Sequence, residues 1–344
     1  MTMNLAFLRL NPSRGLILAL AFVTGLPAAD STDALIGRWA LSLPGDRAGW
    51  LEIKREAGWF DGSILWGGGS VTPVSSVAVV DGMLTVTRVR EVQRKDVSGE
   101  VVRKQQTTET ISGRLDGEVL RLTRTAFNAS GTGLEREELT GRRIPPLPPA
   151  PDMTKVKFGA AIALLNGRDL GGWRLIEAKS ENGWSITGGE LTNRPAPKAE
   201  GQAPRRFGNL RTDRDFEDFN LKLEVSVPAG SNSGIYLRGI YEIQVFDSFG
   251  KPLGALNMGA LYSRIVPSAA AEKPAGEWQS FDITLVDRHL TVILNGTTII
   301  ANQPIQGCTG GALWADESRP GPIFLQGDHG AVSYRNLVLR PVVK

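Results

Sequence analysis

The chain has 344 residues, enough for two domains, and its 41% hydrophobic content with 40 glycines and 20 prolines indicates compact, turn-rich β structure rather than disorder. Its 39 basic and 36 acidic residues nearly balance at a formal net charge of +3, and the basic residues form no polybasic cluster. Composition therefore gives no support for binding to nucleic acid or to an anionic membrane surface.

Residues 1–29 are predicted to be a signal peptide. Arg9 and Arg14 precede an apolar run over 15–26 that is short for a membrane span, and Pro27, two alanines and a polar stretch follow it. We therefore expect a secreted or periplasmic protein, with no membrane span once the signal is removed. Because Pro27 lies where a cleavage site prefers a small residue, an uncleaved anchor is the alternative.

Residues 30–144 are predicted to form a small antiparallel β domain. Strand-like runs are separated there by turn dipeptides such as Asp81-Gly82 and Asp116-Gly117, which are typical of β-hairpins. A series of hairpins of this kind favours a small barrel or sandwich. The opening Gly37-Arg-Trp39 is weakly similar to the start of lipocalin-like barrels.

A proline-rich segment over 145–154 predicts a linker, because proline cannot donate to a strand ladder and favours an extended spacer. Residues 155–344 are predicted to form a second β domain. Apolar and polar residues alternate in runs such as 219–227 and 278–286, as they do in strands with one buried face. We expect a two-sheet antiparallel sandwich.

The segment 232–247 carries polar side chains at strand spacing on an apolar background. One parity holds Tyr236, Arg238, Glu242 and Gln244, and the other holds Ile235, Leu237, Ile243 and Val245. Since successive side chains point to opposite faces of a strand, the polar set is predicted to line one face of a sheet. A second such segment, 322–330, ends in a Gln-Gly-Asp-His-Gly loop.

Together with these two segments, a series of short motifs follows in a fixed order along the second domain. They are 165–173, Trp184, 189–191, 232–247, 259–262, 273–278, 294–296, 326–330 and 334–336. In this order they resemble the 3-keto-disaccharide hydrolase family over 158–344. The resemblance implies a concanavalin-like jelly roll, so the predicted fold is all-β: a jelly-roll sandwich preceded by a small antiparallel β-barrel or sandwich domain.

The resemblance also implies an exported, carbohydrate-active hydrolase that cleaves 3-keto-glycosides or 3-keto-disaccharides. A ketone at C3 acidifies the neighbouring C2 proton, so a base can remove it, the C1 substituent can leave by elimination, and water can then add. This route needs a base near C2, a donor at the C3 oxygen and an acid for the leaving group.

Three residues are candidate catalytic groups: Glu242, His329 and Asp247. The imidazole of His329 suits a base or an acid, although a loop histidine is also a common structural hydrogen-bonder. Glu242 suits a base, and its alternative is an ion pair with Arg238. Asp247 ends the strand and is equally well suited to cap a turn.

The candidate substrate-binding residues are Arg238, Gln244, Tyr236, Tyr262 and Gln326. A guanidinium and an amide present donors in fixed geometry, and a tyrosine can stack on a sugar or hydrogen-bond to it. The sequence assigns no cofactor. A divalent metal held by Glu242 and His329 is an alternative that the sequence leaves open, although no local spacing typical of metal ligands supports it.

Two other functions use the same fold. A non-catalytic carbohydrate-binding jelly-roll module would need aromatic platforms and neutral hydrogen-bonding groups in place of a titratable pair. An ordinary glycosidase would need two carboxylates across the cleft, for which Glu242 and Asp247 are the candidates. In each case the expected ligand is a saccharide, and the sequence leaves the oligomeric state open.

Overall fold

The computed structural model describes residues 32–128, 130–195 and 207–343. The predicted signal peptide lies outside these residues. Within them, the regular structure is β-strand apart from one 3₁₀ turn, Asp33–Leu35, which confirms the predicted all-β class. In the same residues, no helix has the length and apolar character needed to span a membrane.

The N-terminal domain is one antiparallel sheet of nine strands in the order β4-β3-β2-β1-β9-β8-β7-β6-β5. Its strands are β1 Gly37–Leu43, β2 Arg47–Arg55, β3 Phe60–Trp66, β4 Thr72–Pro73, β5 Ser76–Val80, β6 Met83–Lys95, β7 Val101–Asp116, β8 Val119–Phe127 and β9 Leu134–Arg143. Asp81 and Gly82 both have positive φ, as expected for the turn of the β5–β6 hairpin. The sheet curls around its own core, which includes Trp39, Leu51 and Ile111.

The C-terminal domain stacks two antiparallel sheets. Its strands are β10 Ile162–Ala163, β11 Trp173–Leu175, β12 Trp184–Thr187, β13 Glu190–Asn193, β14 Leu210–Thr212, β15 Phe219–Ser226, β16 Asn232–Leu237, β17 Tyr241–Phe246, β18 Gln279–Val286, β19 His289–Leu294, β20 Thr297–Pro304, β21 Phe324–Leu325 and β22 Val332–Pro341. One sheet has the order β12-β13-β22-β15-β18-β19-β20, with β10 added to β22, and the other has the order β11-β14-β21-β16-β17. This jelly-roll-like sandwich confirms the predicted fold.

The β16–β17 hairpin separates apolar from polar residues by face. Ile235 pairs with Ile243 across the hairpin, and both are fully buried in the core between the sheets. Tyr236 pairs with Glu242 in the adjacent register position. Because neighbouring residues of a strand point to opposite faces, this second pair faces away from the core.

The two domains pack directly against each other. Trp50, on β2 of the N-terminal domain, belongs to the same buried cluster as the core of the C-terminal domain. The backbone N–H of Val71 donates to Oγ of Ser263 at 2.9 Å. The start of the predicted linker also lies against the C-terminal domain, since the guanidinium of Arg288 donates to the carbonyl of Pro145 at 2.9 Å. The proline-rich segment therefore does not stand free as a spacer.

Candidate functional site

A cavity of about 330 Å³ opens on the polar face of the β16–β17 hairpin. Residues from both domains line it: Gly68, Gly69, Asn209, Asn232, Tyr236, Glu242, Tyr262, Gly310, Gly311, Phe324, Gln326, Asp328 and His329. Its volume lies near the lower end of the roughly 300–1,000 Å³ typical of small-molecule sites. The lining combines aromatic rings, side-chain amides, two carboxyl groups and a histidine, a composition suited to a small polar ligand.

Glu242 is a buried carboxyl group with 4% of its surface exposed. Its Oε2 accepts a hydrogen bond of 2.8 Å from the hydroxyl of Tyr236. Burial raises the pKa of Glu242 to about 7, because the charged form loses its hydration, and the Tyr236 hydrogen bond and the charge of His329 oppose this rise. Near neutral pH the carboxyl group therefore exchanges its proton readily, as a general base must.

Tyr236 joins Glu242 to the backbone. Its hydroxyl lies 2.7 Å from the carbonyl oxygen of Gly310 as well as 2.8 Å from Glu242. A hydroxyl has one proton, so it donates to the carboxylate when Glu242 is ionised. When Glu242 is protonated, the carboxyl group can donate to Tyr236 while Tyr236 donates to Gly310. The ring stacks on Phe324 with centroids 3.9 Å apart, which fixes its orientation.

His329 forms a pair with its neighbour Asp328. Its Nδ1 lies 2.7 Å from Oδ1 of Asp328, and about half of the imidazole is exposed to solvent. This hydrogen bond raises the pKa of His329, since the carboxylate favours the imidazolium form. With Nδ1 held by Asp328, Nε2 is the nitrogen left to exchange a proton with a ligand.

Three amide side chains complete the polar lining. Oδ1 of Asn232 and Oε1 of Gln326 are buried and have no hydrogen-bond partner within the described part of the chain. Oδ1 of Asn209 accepts from the backbone N–H of Gly327 at 2.8 Å. Each amide carries both donor and acceptor atoms, which matches the hydroxyl and carbonyl groups of a sugar.

The structure brings five of the eight predicted site residues into this cavity. They are Tyr236, Glu242, Tyr262, Gln326 and His329. Gln244 and Asp247 follow Glu242 on the same chain segment but are not part of the lining. Oε1 of Gln244 accepts from the backbone N–H of Val245, and Oδ2 of Asp247 accepts from the backbone N–H of Gly230. This contact agrees with the alternative interpretation of Asp247 as a turn cap.

Arg238 lies outside the cavity, contrary to its predicted role in substrate binding. It has a φ of 54° in the turn after β16, so the strand alternation that predicted its direction ends before it. Its guanidinium donates to the carbonyl oxygens of Glu317 and Arg319, each at 2.6 Å. These contacts hold the 317–319 loop and replace the ion pair with Glu242 that was the alternative.

The comparison with known families identifies the second domain. The model of the 3-keto-alpha-glucoside-1,2-lyase-like domain matches residues 160–340. This chain belongs to that family. The resemblance to 3-keto-disaccharide hydrolases seen in the sequence is thereby confirmed, and the domain is a carbohydrate-active one of the hydrolase or saccharide-binding type.

Solved structures similar to this 3-keto-alpha-glucoside-1,2-lyase-like chain include three candidate glycosyl hydrolases from Parabacteroides distasonis ATCC 8503. The first is 28% identical, with 57% of this chain and 93% of that chain covered and a TM-score of 0.43. The second is 19% identical, with 53% and 94% covered and a TM-score of 0.42. The third is 21% identical, with 53% and 100% covered and a TM-score of 0.38. A search of curated proteins gives no match.

The residues that line the cavity do not fit the divalent metal that the sequence leaves open. Among the residues described by the structure, no three His, Cys, Asp or Glu side chains come together to hold an ion. Protein zinc sites use about three or four such ligands. We therefore assign no step of the chemistry to a metal.

Several lining residues of the site were not predicted from the sequence. Asp328 adjoins His329 in the motif of the second polar segment, and this adjacency is the signal that could have identified it. Asn209 and Phe324 carry no local signal, because they reach the cavity only through the pairing of β14 and β16 with β21. The contribution of Gly68 and Gly69 depends on the packing of one domain on the other.

Proposed function

We propose that this protein cleaves 3-keto-glycosides by elimination across C1 and C2, followed by hydration. The observation that carries this proposal is a buried carboxyl group with a pKa of about 7 in the same cavity as a histidine–aspartate pair. A catalytic base is most effective when its pKa lies near the working pH. A plain saccharide-binding site has no need of such a group.

In the first step, the carboxylate of Glu242 takes the C2 proton. The C2–H electron pair moves into the C2–C3 bond, and the negative charge develops on the C3 oxygen as an enolate. Hydrogen-bond donors placed at such an oxygen lower the barrier. The amide groups of Asn232 and Gln326 and the hydroxyl of Tyr262 are the neutral donors of the cavity that suit this task.

In the second step, the enolate reforms its ketone as the C1–O bond to the leaving group breaks. The imidazolium of His329 gives its proton to the departing oxygen, so the leaving group departs as a neutral alcohol. Water then adds to C1 of the unsaturated ketone and gives its proton to the neutral imidazole of His329, and the proton held by Glu242 returns to C2. The sum is consumption of one water molecule and release of a 3-keto sugar and an alcohol.

An ordinary glycosidase mechanism with Glu242 and Asp247 as its two carboxylates receives less support from the geometry. Retaining and inverting glycosidases hold two carboxyl groups on either side of the scissile bond, about 5 to 9.5 Å apart. Asp247, the predicted partner of Glu242 in that mechanism, binds the backbone of Gly230 and is not part of the cavity lining.

The test compares cleavage of a 3-keto-disaccharide with cleavage of its unoxidised parent. We expect turnover of the 3-keto substrate only. Glu242→Gln and His329→Gln should each lower kcat/KM by roughly 10²-fold or more, the usual range for loss of general acid–base catalysis. Glu277→Gln, at an exposed position, and His289→Asn, at the other histidine, are the matched controls.

Equal cleavage of both disaccharides would instead identify an ordinary glycosidase. Binding without cleavage would identify a carbohydrate-binding module. Export is a further part of this proposal, and N-terminal sequencing of the mature protein tests it. A mature chain that begins near residue 30 is expected, and one that retains residues 1–29 would contradict cleavage.

A further inference from the structure

The N-terminal domain contributes part of the cavity wall. The glycine loop, residues 67–70 between β3 and β4, places Gly68 and Gly69 in the lining beside residues of the C-terminal domain. The rest of the lining comes from 209–329 of the C-terminal domain. The site is therefore completed by a segment that lies outside the residues 160–340 matched by the family model.

Close backbone contacts fix the glycine loop in place. A Cβ atom at Gly310 would overlap the carbonyl oxygen of Gly69, so these two glycines pack backbone against backbone. The N–H of Gly311 donates to the carbonyl of Gly67 at 3.4 Å. Such an approach is open only to residues without a side chain. The wall is part of the packing between the domains and not a loosely placed loop.

Side chains at the end of the loop reach the same site. Oγ of Ser70 lies 3.5 Å from the hydroxyl of Tyr262, which lines the cavity. The next residue, Val71, packs against the core of the C-terminal domain and binds Ser263 through its N–H. The loop also contacts the catalytic group indirectly, because the Gly310 that it packs on accepts the hydrogen bond of Tyr236.

We propose that the glycine loop determines the size of saccharide that the cavity accepts. This inference rests on the proposed function for the identity of the ligand. The loop closes one side of a cavity of about 330 Å³, so it limits the site to a mono- or disaccharide-sized ligand and excludes the interior of a polysaccharide chain. The absence of side chains at Gly68 and Gly69 leaves the room that such a ligand needs.

Gly68 is the position at which this can be tested without strain. Gly67 and Gly69 have φ of 77° and 79°, where other residues are strained, whereas Gly68 is not among the residues with positive φ. A Cβ atom at Gly68 meets no atom within 4 Å. The series Gly68→Ala, Gly68→Leu and Gly68→Trp therefore adds volume to the wall while the fold is preserved.

The experiment measures kcat/KM for a 3-keto-disaccharide and for methyl 3-keto-glucoside, the smaller substrate. We expect the disaccharide to lose activity progressively along the series, by about 10-fold or more at Gly68→Trp, with a smaller loss for the methyl glycoside. Ser70→Trp, which crowds Tyr262, should act in the same direction. Val97→Trp, at a fully exposed hairpin tip of the same domain, is the control and should leave both substrates unchanged.

A binding experiment separates this inference from the proposed chemistry. Calorimetry measures the affinity of the two 3-keto ligands for the Glu242→Gln variant, with and without Gly68→Trp. Weakened disaccharide binding in the double variant supports the wall, even if the wild-type protein proves to bind without cleavage. The inference is overturned if Gly68→Trp and Ser70→Trp both leave kcat/KM for the disaccharide and for the methyl glycoside as Val97→Trp does.

Discussion

At the scale of single residues, the proposed mechanism depends on two titratable groups with opposing requirements. Glu242 must be ionised to take the C2 proton, so kcat/KM should rise with pH through its pKa of about 7. His329 must be protonated to serve as the acid, so kcat/KM should fall again as pH passes through its raised pKa. The expected pH profile is therefore a bell, which reports the two groups in the free enzyme.

Replacing Asp328 by asparagine should move the whole bell to lower pH. The Asp328 carboxylate raises the pKa of His329 through a hydrogen bond and charge, and its charge also raises the pKa of Glu242. Removing the charge lowers both pKa values, so the rising and falling limbs should shift together. The measurement is kcat/KM against pH for both proteins, and a falling limb that stays in place would show that His329 is not the acid.

Replacing Tyr236 by phenylalanine should move only the rising limb, and in the opposite direction. The Tyr236 hydrogen bond lowers the pKa of Glu242 by stabilising the carboxylate, so its loss raises that pKa. Activity at about pH 6 to 7 should fall more than activity at higher pH, because a smaller fraction of Glu242 is then ionised in that range. An unshifted rising limb would mean that Glu242 does not control it.

At the scale of elements, the β16–β17 hairpin positions the base through its register. Gly234 lies opposite Gln244 on the face that carries Glu242. A Cβ atom at Gly234 would lie 2.5 Å from Oε1 of Glu242, so the carboxyl group occupies the space that a side chain would fill. The glycine in this strand is therefore needed for the position of the base and not for a bend.

Gly234→Ala should displace the Glu242 carboxyl group while the hairpin stays paired. The φ of Gly234 is not positive, so alanine adds no backbone strain there. We expect kcat to fall by about 10-fold or more, because a displacement of roughly 1 Å can cost 10²-fold in rate. Circular dichroism and thermal unfolding check the fold, and Gly254→Ala, whose Cβ makes only ordinary contact, is the control. Unchanged kcat would contradict the assigned position of the base.

The same hairpin shows how far the sequence predicts the site. The alternation of apolar and polar residues predicted the faces of Tyr236 and Glu242, since period-two spacing fixes direction within a strand. It failed at Arg238, because the chain leaves the strand at Leu237 and the turn points that side chain elsewhere. It also could not choose between a cap and a catalytic role for Asp247, which depends on a contact with Gly230 across a loop.

At the scale of the whole molecule, the two domains share a hydrophobic cluster and the wall of one cavity. The hairpins of the first domain and the two-sheet sandwich of the second were predictable from the strand pattern, and the jelly roll was implied by the family resemblance. The packing of the domains on one another was not predictable, since it depends on glycine backbones such as Gly69 and Gly310 that carry no pattern. The proline-rich segment likewise gave no sign of the hydrogen bond that Arg288 donates to the carbonyl of Pro145.

Shared packing predicts cooperative unfolding. Trp50 has 3% of its surface exposed, and the guanidinium of Arg264 lies 4.4 Å from the centroid of its ring. Trp50→Ala should lower the free energy of unfolding by about 3–5 kcal/mol through loss of buried surface and the cavity left behind. Trp59→Ala, at a residue 58% exposed, should change it by about 0.5 kcal/mol or less. Calorimetry should show one transition that moves as a unit, whereas two transitions with only one affected would contradict the shared core.

The central claim is that a base removes the C2 proton before cleavage of the glycosidic bond is complete. The most direct measurement is kcat/KM of the wild-type protein for a 3-keto-disaccharide carrying deuterium at C2, compared with the protium form. Elimination predicts slower cleavage of the deuterated substrate, because the C2–H bond breaks on the path to products. Equal rates over the whole pH bell would contradict the assignment of Glu242 as the base.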